Sequence, residues 1–344
     1  MSSSPHLHPP PDAPLRIVAI GGGTGLATLL QGLKQYARLD PPQVQITAVV
    51  TVTDDGGSSG RLRRQFDVPP PGDIRNCMVA LSEDEALLSR LFEYRFPAGR
   101  GLKGHSFGNL FLTALSRITG DFAHAVRVSS EVLAIVGRIY PSTVANVTLE
   151  ARLEDGAVVA GESRISKSRV PIERVVLRPP DCQPLEETVQ ALAEADLITL
   201  GPGSLFTSVI PNLLVHGIPE AIRQSPAVTA YIVNLMWQPG ETLNFTAADH
   251  VCAVLRHAPQ IRLDYAVVNT RPVSERMCRK YARQRARPVE ADCDRLERLG
   301  LTVVARDVLE ETDKVRHNPA ALAQVALELA REGRRRRSGP AQPA

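Results

Sequence analysis

The sequence has few cysteines and pairs none of them closely. Its five cysteines, among 344 residues, are an odd number and include no C-x-x-C pair. This pattern excludes a disulfide framework and a structural zinc site built from paired thiolates. We therefore expect free thiols that behave as small apolar residues in a reducing compartment.

The sequence also lacks an apolar run of membrane-spanning length, and residues 1–14 lack the apolar core of a signal peptide. Both absences predict a cytoplasmic protein without membrane insertion. The formal net charge is only +3, and the four arginines at 334–337 leave the rest of the chain near −1. A nearly neutral body gives no electrostatic support for nucleic acid as the main partner.

The two ends differ in composition from the middle of the chain. Residues 1–14 contain five prolines and predict a disordered lead, and residues 333–344 predict a flexible basic tail. We expect a single domain over residues 15–332. A closing helix is predicted at 318–331 and a helix at 83–94, and a polar, arginine-containing segment to which no helix is assigned lies at 60–71.

Short strands rich in β-branched residues alternate with helical segments. Buried strands are predicted at 15–20, 44–52, 197–200, 228–235, 265–269 and 302–305. This alternation is typical of a Rossmann-like, doubly wound and mostly parallel α/β sheet. Residues 138–178 instead predict a small antiparallel β excursion, with strands at 144–153 and 158–165 around a hairpin at Asp155-Gly156. Ligands of doubly wound sheets bind at the carboxyl ends of the strands, so the loops there carry the functional prediction.

The first of these loops, residues 21–25 (the first loop), consists of Gly21, Gly22, Gly23, Thr24 and Gly25. Glycines let backbone N–H groups approach an anion closely, and a helix that begins there adds its positive end. The G-x-G-x-x-G dinucleotide fingerprint would need a small residue where Leu26 stands, which disfavours an NAD site. The alternative is a tight strand-to-helix turn without a ligand.

The second loop, residues 53–60 (the acidic loop), carries two carboxylates in front of small residues. It consists of Thr53, Asp54, Asp55, Gly56, Gly57, Ser58, Ser59 and Gly60. One acid is a candidate for ribose hydroxyls. Alternatively, Asp54 and Asp55 hold a hydrated Mg²⁺ beside a diphosphate. The third alternative is that both acids cap the following turn or helix.

Two later segments place polar side chains at predicted helix starts. Asp73, Arg75 and Asn76 are candidates in the first, with Arg75 facing a phosphate and Asp73 alternatively an N-cap. His105 and Asn109 lie one helical turn apart in the second and would share a face. His105 is a candidate general base, with a structural hydrogen-bonding role as the alternative, and Ser106 is a candidate N-cap.

The second half of the chain adds two more loops after strands. Residues 201–204 (the GPGS loop), which are Gly201, Pro202, Gly203 and Ser204, are a second candidate anion cradle. The next loop contains the ligand candidate Asn234 and the only tryptophan, Trp237, which either stacks on a base or simply packs.

Six motifs together resemble those of the YvcK-like gluconeogenesis factors, in the same order and with similar spacing. They are GGGTGL at 21–26, TDDGGSSGR at 53–61, PPPGDIRN at 69–76, GHSFGN at 104–109, GPGSLFTS at 201–208 and QPGET at 238–242. The resemblance spans roughly residues 15–310. It places the sequence with the CofD-like proteins, whose other branch contains 2-phospho-L-lactate transferases of deazaflavin coenzyme synthesis.

This resemblance implies a Rossmann-like fold and a cytosolic protein needed for cell shape and for growth on gluconeogenic carbon sources. It also implies binding of UDP-sugars such as UDP-N-acetylglucosamine. In the transferase branch the acids after the second strand serve Mg²⁺ and substrate, which would correspond to Asp54 and Asp55. The sequence departs from the family pattern at Leu243-Asn244-Phe245, where an Asp-Gly-Tyr type of continuation is usual.

Two functional hypotheses follow from these residues and the resemblance. The first is a nucleotide-sugar-binding regulatory protein without turnover, which reports precursor supply to protein partners that the sequence does not identify. The second is a Mg²⁺-dependent transferase that acts on a diphosphate-linked substrate, with Asp54 and His105 as candidate catalytic residues. A homo-oligomer is compatible with both.

Overall fold

The computed structural model describes residues 13–82 and 87–338. The predicted lead therefore lies outside the described residues up to position 12, as does the start of the helix predicted at 83–94. The strands in these ranges are β1 (Leu15–Gly21), β2 (Val44–Val50), β3 (Arg138–Pro141), β4 (Thr148–Leu153), β5 (Val158–Ala160), β6 (Ile172–Arg178), β7 (Leu197–Leu200), β8 (Val228–Ile232), β9 (Tyr265–Asn269), β10 (Thr302–Arg306), β11 (Leu309–Glu311) and β12 (Val315–His317).

The helices surround the strands and include one π-helix, Leu205–Val209, directly after the GPGS loop. The α-helices are α1 (Gly23–Ala37), α2 (Gly57–Phe66), α3 (Gly72–Leu81), α4 (Leu87–Glu93), α5 (Phe107–Thr119), α6 (Phe122–Val132), α7 (Glu162–Ile165), α8 (Glu186–Glu194), α9 (Ile210–Leu213), α10 (Ile218–Gln224), α11 (Ala247–His257), α12 (Glu275–Ala282), α13 (Cys293–Arg298) and α14 (Pro319–Ser338).

Seven strands form one central sheet in the order β10-β9-β8-β7-β1-β2-β3. Every neighbouring pair in it is parallel. The chain moves from β1 outwards to β3 and then returns to the other side of β1 as β7. The predicted doubly wound sheet is confirmed, and its strand order reverses between β1 and β7. Ligands of such folds bind at this switch point.

The central strands and the helices beside them form the core. Ile17 of β1 pairs with Ile46 of β2, and both side chains are buried, as expected for strands covered on both faces. Helix α1 packs against the sheet and α14. Its buried residues Leu26, Leu29, Leu30 and Leu33 recur at the spacing of one helix face. The N-terminus of α1 is thereby fixed at the switch point.

The antiparallel excursion forms a separate three-stranded sheet in the order β5-β4-β6. Its hairpin is confirmed: Arg152 of β4 pairs with Val158 of β5, and Gly156 takes a φ of +84° in the turn between them. The strand predicted to continue to residue 165 is wrong, because helix α7 begins at Glu162. Gly161, with a φ of +96°, turns the chain into that helix.

Two segments are more helical than predicted. Residues 57–66 form α2, although Leu62 is its only buried large apolar residue. The closing helix α14 runs to Ser338, so the flexible tail predicted from residue 333 is wrong for residues 333–338. Arg334 donates to the fully buried Asp196 (Nη2–Oδ2 2.6 Å) and to the carbonyl of Pro14 (2.8 Å). A buried carboxylate needs such a partner, which holds the last turns of α14 in place.

All five cysteines are free thiols, as expected. In the described part of the chain, no single helix is long and apolar enough to cross a membrane. The bent pair Leu205–Leu213 and Ile218–Gln224 meets the length and composition requirement only when taken together, and its apolar residues are buried in the fold.

Candidate functional site

A cavity of about 210 Å³ opens at the switch point, between the first loop and the GPGS loop. We call it the loop cavity. It brings together most predicted residues of both loops and the predicted Asn234. Its lining residues are Gly22, Gly23, Thr24, Gly25, Thr28, Pro202, Gly203, Ser204, Ser208, Asn234, Leu235, Met236, Gln238, Val315, Arg316 and His317.

The first loop and the GPGS loop touch through their backbones. A Cβ atom on Gly25 would lie 2.6 Å from the carbonyl oxygen of Pro202 and 2.9 Å from Cα of Gly203. Gly23 takes a φ of +62°, in the region that favours glycine. By contrast, a Cβ atom on Gly21 would meet nothing closer than 3.6 Å. Glycine is therefore required at positions 23 and 25 for the two loops to meet.

The N-terminus of α1 faces the loop cavity without a side-chain cap. Gly22 is the N-cap residue, and the first turn contains no acidic residue. The N–H groups of a first helical turn have no partner within the helix, and the helix dipole makes them attractive to an anion. The N–H of Gly23 already has a partner outside the helix, because it donates to the carboxyl group of Asp73.

A larger cavity of about 660 Å³ adjoins the loop cavity and shares Thr24, Thr28 and Arg316 with it. We call it the basic cavity, because among its lining residues only Glu93 is acidic. It is lined by Thr24, Ala27, Thr28, Gln31, Lys34, Arg75, Asn76, Val79, Ala80, Ser82, Ser89, Arg90, Glu93, Arg95 and Arg316. The two cavities form one cleft along α1, and the predicted Arg75 and Asn76 line it.

The acidic loop lies beside the cleft, and its residues line neither cavity. Oδ1 of Asp54 accepts a hydrogen bond from the N–H of Gly56 (2.8 Å). Oδ1 of Asp55 accepts one from the N–H of Ser163 in the first turn of α7 (2.8 Å). Asp55 thus caps a helix. The capped helix is α7, and not α2, which follows the acidic loop along the chain. Oγ1 of Thr53 donates to the carbonyl of Thr207 (3.3 Å) and links the acidic loop to the π-helix.

The remaining polar residues of the acidic loop bind α5 and the turn before it. Oγ of Ser58 lies 2.9 Å from Nδ1 of His105, and Asn109 donates to Oγ of Ser59 (3.2 Å). All four side chains are buried. Burial, then the nearby positive charges of Arg61 and Arg95, lower the pKa of His105, so the ring is neutral at pH 7.

Ser106 is the N-cap of α5, as one of the alternatives predicted, and accepts from the N–H of Asn109. Trp237 lines neither cavity, and its indole N–H donates to the carbonyl of Phe245 (2.9 Å). Packing is therefore the role that the structure gives this tryptophan.

Three carboxyl groups approach one another between the acidic loop, α3 and α7. Burial, followed by the charge of Asp54, raises the pKa of Asp73 to about 7. Burial, followed by the charges of Asp73 and Asp54, raises the pKa of Glu162 to about 9. Both groups are held partly or largely protonated at neutral pH, because ionising them together in a partly buried space is unfavourable.

Within residues 13–82 and 87–338, no group of three or more His, Cys, Asp or Glu side chains is arranged to hold a metal ion. Asp54 is the predicted Mg²⁺ ligand with an oxygen to offer. Its Oδ1 accepts from Gly56, whereas its Oδ2, which lies close to Gly72, accepts no hydrogen bond from the described residues. Mg²⁺ takes one or two carboxylates and completes its shell with phosphate and water. Asp54 would hold such an ion, with Asp73 beside it, whereas Asp55 is occupied at α7.

Sequence reasoning missed three residues that shape the cleft. Gln238 lines the loop cavity and donates to Oγ of Ser204 (2.6 Å). The buried carboxylate of Glu241 accepts from the N–H of Phe206 and from Oγ1 of Thr207, both at 3.1 Å, and so holds the segment after the GPGS loop. Gln238 and Glu241 belong to the QPGET motif, and this motif is the sequence feature that could have identified them. Arg316 had no local signal, because a hairpin far along the chain brings it to the cleft.

The family model described as 2-phospho-L-lactate transferase CofD matches residues 17–309. The chain belongs to the CofD family. It is 49% identical over 313 residues to the gluconeogenesis factor of Halalkalibacterium halodurans, covering 91% of this chain and 95% of the relative. It is 48% identical over 318 residues to the gluconeogenesis factor of Bacillus subtilis strain 168, covering 92% and 98%.

A solved crystal structure has the same fold. It is a member of the UPF0052 family from Bacillus halodurans, with a TM-score of 0.87 and 47% sequence identity over 90% of this chain and 98% of the other. The resemblance to gluconeogenesis factors within the CofD-like proteins is thus confirmed at the level of the family.

Proposed function

We propose that this chain is a cytoplasmic regulatory protein of the gluconeogenesis-factor type that binds a UDP-sugar such as UDP-N-acetylglucosamine in the cleft. The observation that carries the proposal is the contact between two glycine-rich loops at the switch point of the sheet. Their backbone N–H groups and the N-terminus of α1 meet there beside a basic cavity. This combination is suited to a diphosphate.

The sizes of the two cavities indicate in which direction a bound ligand extends. The loop cavity, about 210 Å³, is smaller than the 300 Å³ or so at which pockets for small ligands usually begin. A ligand with its diphosphate on the first loop and the GPGS loop must therefore extend past Thr24 and Thr28 into the basic cavity. Asn234 and Gln238 also line the loop cavity, where Asn234 donates to Oε1 of Gln238 (3.3 Å).

Isothermal titration of the full chain with UDP-N-acetylglucosamine, UDP-glucose and UDP, each with and without Mg²⁺, tests this proposal. We expect saturable binding of the UDP-sugars, and native mass spectrometry should show the mass of one bound nucleotide-sugar. An absence of binding at millimolar ligand would contradict the proposal.

The regulatory part of the proposal rests on the relatives, which are gluconeogenesis factors. Loss of this chain is expected to disturb cell shape and growth on gluconeogenic carbon sources, through protein partners that sense the ligand-bound state. A strain lacking the chain should be restored by the Gly21→Ala variant and not by Gly25→Ala, because only the latter disturbs the contact between the loops. Equal restoration by both variants would show that the cellular role does not depend on ligand binding at these loops.

The second candidate function is a Mg²⁺-dependent transferase acting on a diphosphate-linked substrate. The approach of Asp54, Asp73 and Glu162 to one another favours it, because such carboxyl groups can neutralise a cation that in turn binds phosphate. Its test is turnover of UDP-sugars in the presence of Mg²⁺ and a panel of acceptors. Turnover that Asp54→Asn abolishes would support the transferase, whereas binding without turnover supports the regulatory protein.

A further inference from the structure

Three arginines of the basic cavity, Arg75, Arg95 and Arg316, have no carboxylate partner within 4 Å among residues 13–82 and 87–338. Arg75 donates to the side-chain oxygen of the neighbouring Asn76, and Arg95 to the carbonyl oxygen of Gly104. A guanidinium that faces a partly enclosed space usually has an anionic partner. Among the described residues that line this cavity, Glu93 is the only acidic one, and these three arginines outnumber it.

The position of Arg75 makes this imbalance unfavourable. Its Nε atom is buried and has no hydrogen-bond partner in the part of the chain that the structure describes. Burial, followed by the positive charge of Arg95, lowers the pKa of Arg75, so the two guanidinium groups lie close enough to repel each other. Asp73, Glu93 and Asp54 act in the opposite direction but do not cancel this shift. An anionic group between them would relieve the repulsion.

Arg316 lies where the two cavities join and lines both of them. It belongs to the hairpin of β11 and β12, in which Leu309 pairs with His317. The buried ring of His317 hydrogen-bonds through Nε2 to the carbonyl of Val233, at 3.1 Å, which ties the hairpin to the end of β8. Arg316 is thus held at the cleft, and it lies beyond the span of residues 17–309 that the family model matches.

We propose that Arg75, Arg95 and Arg316 form a second anion subsite, which binds the carboxylate of an acidic nucleotide-sugar of the UDP-hexuronic acid class. The proposal rests on the proposed function, since a diphosphate on the first loop directs the sugar along α1 into the basic cavity. The preferred ligand then carries two anionic centres, one for the glycine loops and one for the arginines.

A matched pair of ligands tests the subsite. UDP-glucuronic acid and UDP-glucose differ only at C6 of the sugar, which is a carboxylate in the first and a hydroxymethyl group in the second. We expect isothermal titration of the full chain to give a Kd about fivefold or more lower for UDP-glucuronic acid, with the difference shrinking at high salt.

The variants Arg95→Gln and Arg100→Gln locate the effect. Both arginines are exposed in the same loop, but Arg95 lines the basic cavity and Arg100 lines neither cavity. Arg95→Gln should bring the ratio of the two Kd values close to one, and Arg100→Gln should leave the ratio as in the unmodified chain. Thermal melting of both variants confirms that they are folded.

Equal affinity of the unmodified chain for the two ligands would overturn the subsite, and so would a ratio that Arg95→Gln leaves unchanged. Both outcomes leave the proposed function intact, because UDP-sugars still bind. If neither ligand binds, the proposed function fails with the subsite.

Discussion

The first loop and the acidic loop follow neighbouring parallel strands, and both are rich in glycine, but they do different work. The first loop presents backbone N–H groups and lines the cleft. The acidic loop directs its side chains to α7, the π-helix and α5, and none of its residues lines the loop cavity or the basic cavity. We therefore expect the first loop, rather than the acidic loop, to bind the ligand, because the polar side chains of the acidic loop are largely paired within the protein.

The position of each loop relative to the switch point explains the difference. The first loop lies between β1 and β7, where the strand order reverses and a crevice forms. The acidic loop follows β2, one strand away, and the excursion between β3 and β7 places α7 on it. A Cβ atom on Gly161 would lie 2.1 Å from Oδ2 of Asp55, which shows how closely the excursion covers this loop.

The largest expected effect comes from pushing the first loop and the GPGS loop apart. Gly25→Ala places a methyl group 2.6 Å from the backbone oxygen of Pro202, whereas Gly21→Ala has ordinary contacts at 3.6 Å and beyond. We expect Gly25→Ala to lower the affinity for UDP-N-acetylglucosamine by about tenfold or more and the free energy of unfolding by about 1–3 kcal/mol. Gly21→Ala should change both far less. Comparable affinities of the two variants would show that contact between the loops does not form the site.

The next effect concerns Asp73, which lies near both the first loop and the acidic loop. Its folded-state pKa of about 7 exceeds its ordinary value of 3.8. The folded state therefore binds the proton more tightly than the unfolded state, and this group lowers the free energy of unfolding as pH rises from about 4 to 7.

We expect urea denaturation to show Asp73→Asn more stable than the unmodified chain at pH 8, by about 1–2 kcal/mol. The advantage should become very small at about pH 3, below the ordinary pKa of 3.8, where Asp73 is largely protonated in both states. Glu162, with a pKa of about 9, adds a loss of the same sign that continues to higher pH. A pH dependence that Asp73→Asn leaves unaltered would mean that the carboxyl groups do not interact as described.

A smaller effect is expected from Asp55, which the comparison assigns to the scaffold. Asp55→Ala removes the acceptor for the N–H of Ser163 and should lower the free energy of unfolding by about 1 kcal/mol. Asp181→Ala, at an exposed acid elsewhere, is the control. The Kd for UDP-N-acetylglucosamine should stay within about twofold of the unmodified value, since Asp55 lines neither cavity. Loss of Mg²⁺-dependent binding in Asp55→Ala would instead favour the paired-carboxylate alternative.

The smallest effect is expected from Ser58, whose hydroxyl lies against His105. Ser58→Ala should lower the free energy of unfolding by about 0.5–1.5 kcal/mol, because Nδ1 of a buried, neutral His105 loses its partner. Urea denaturation measures this change, and titration of the ligand should show little difference. A large loss of affinity without a loss of stability would move the acidic loop from the scaffold into the site.

The parts of this molecule that the sequence predicts are those with a local cause. Runs of β-branched residues before glycines predict the parallel strands and the first loop, and Asp155-Gly156 predicts the hairpin of the excursion. The parts that it misses depend on residues distant in the chain. Arg334 extends α14 because Asp196 is buried 138 positions earlier, and Arg316 reaches the cleft because His317 binds the carbonyl of Val233. Periodicity and turn chemistry carry no information about such contacts.

Hydrogen exchange of the backbone amides, with and without UDP-N-acetylglucosamine, tests the central claim most directly. Ligand on the first loop and the GPGS loop should slow exchange at residues 22, 24, 25, 203 and 204, where N–H groups are expected to bind the diphosphate. Exchange at residues 56–60 of the acidic loop should stay nearly unchanged. Protection confined to residues 56–60 would contradict the claim that the cleft at the switch point is the binding site.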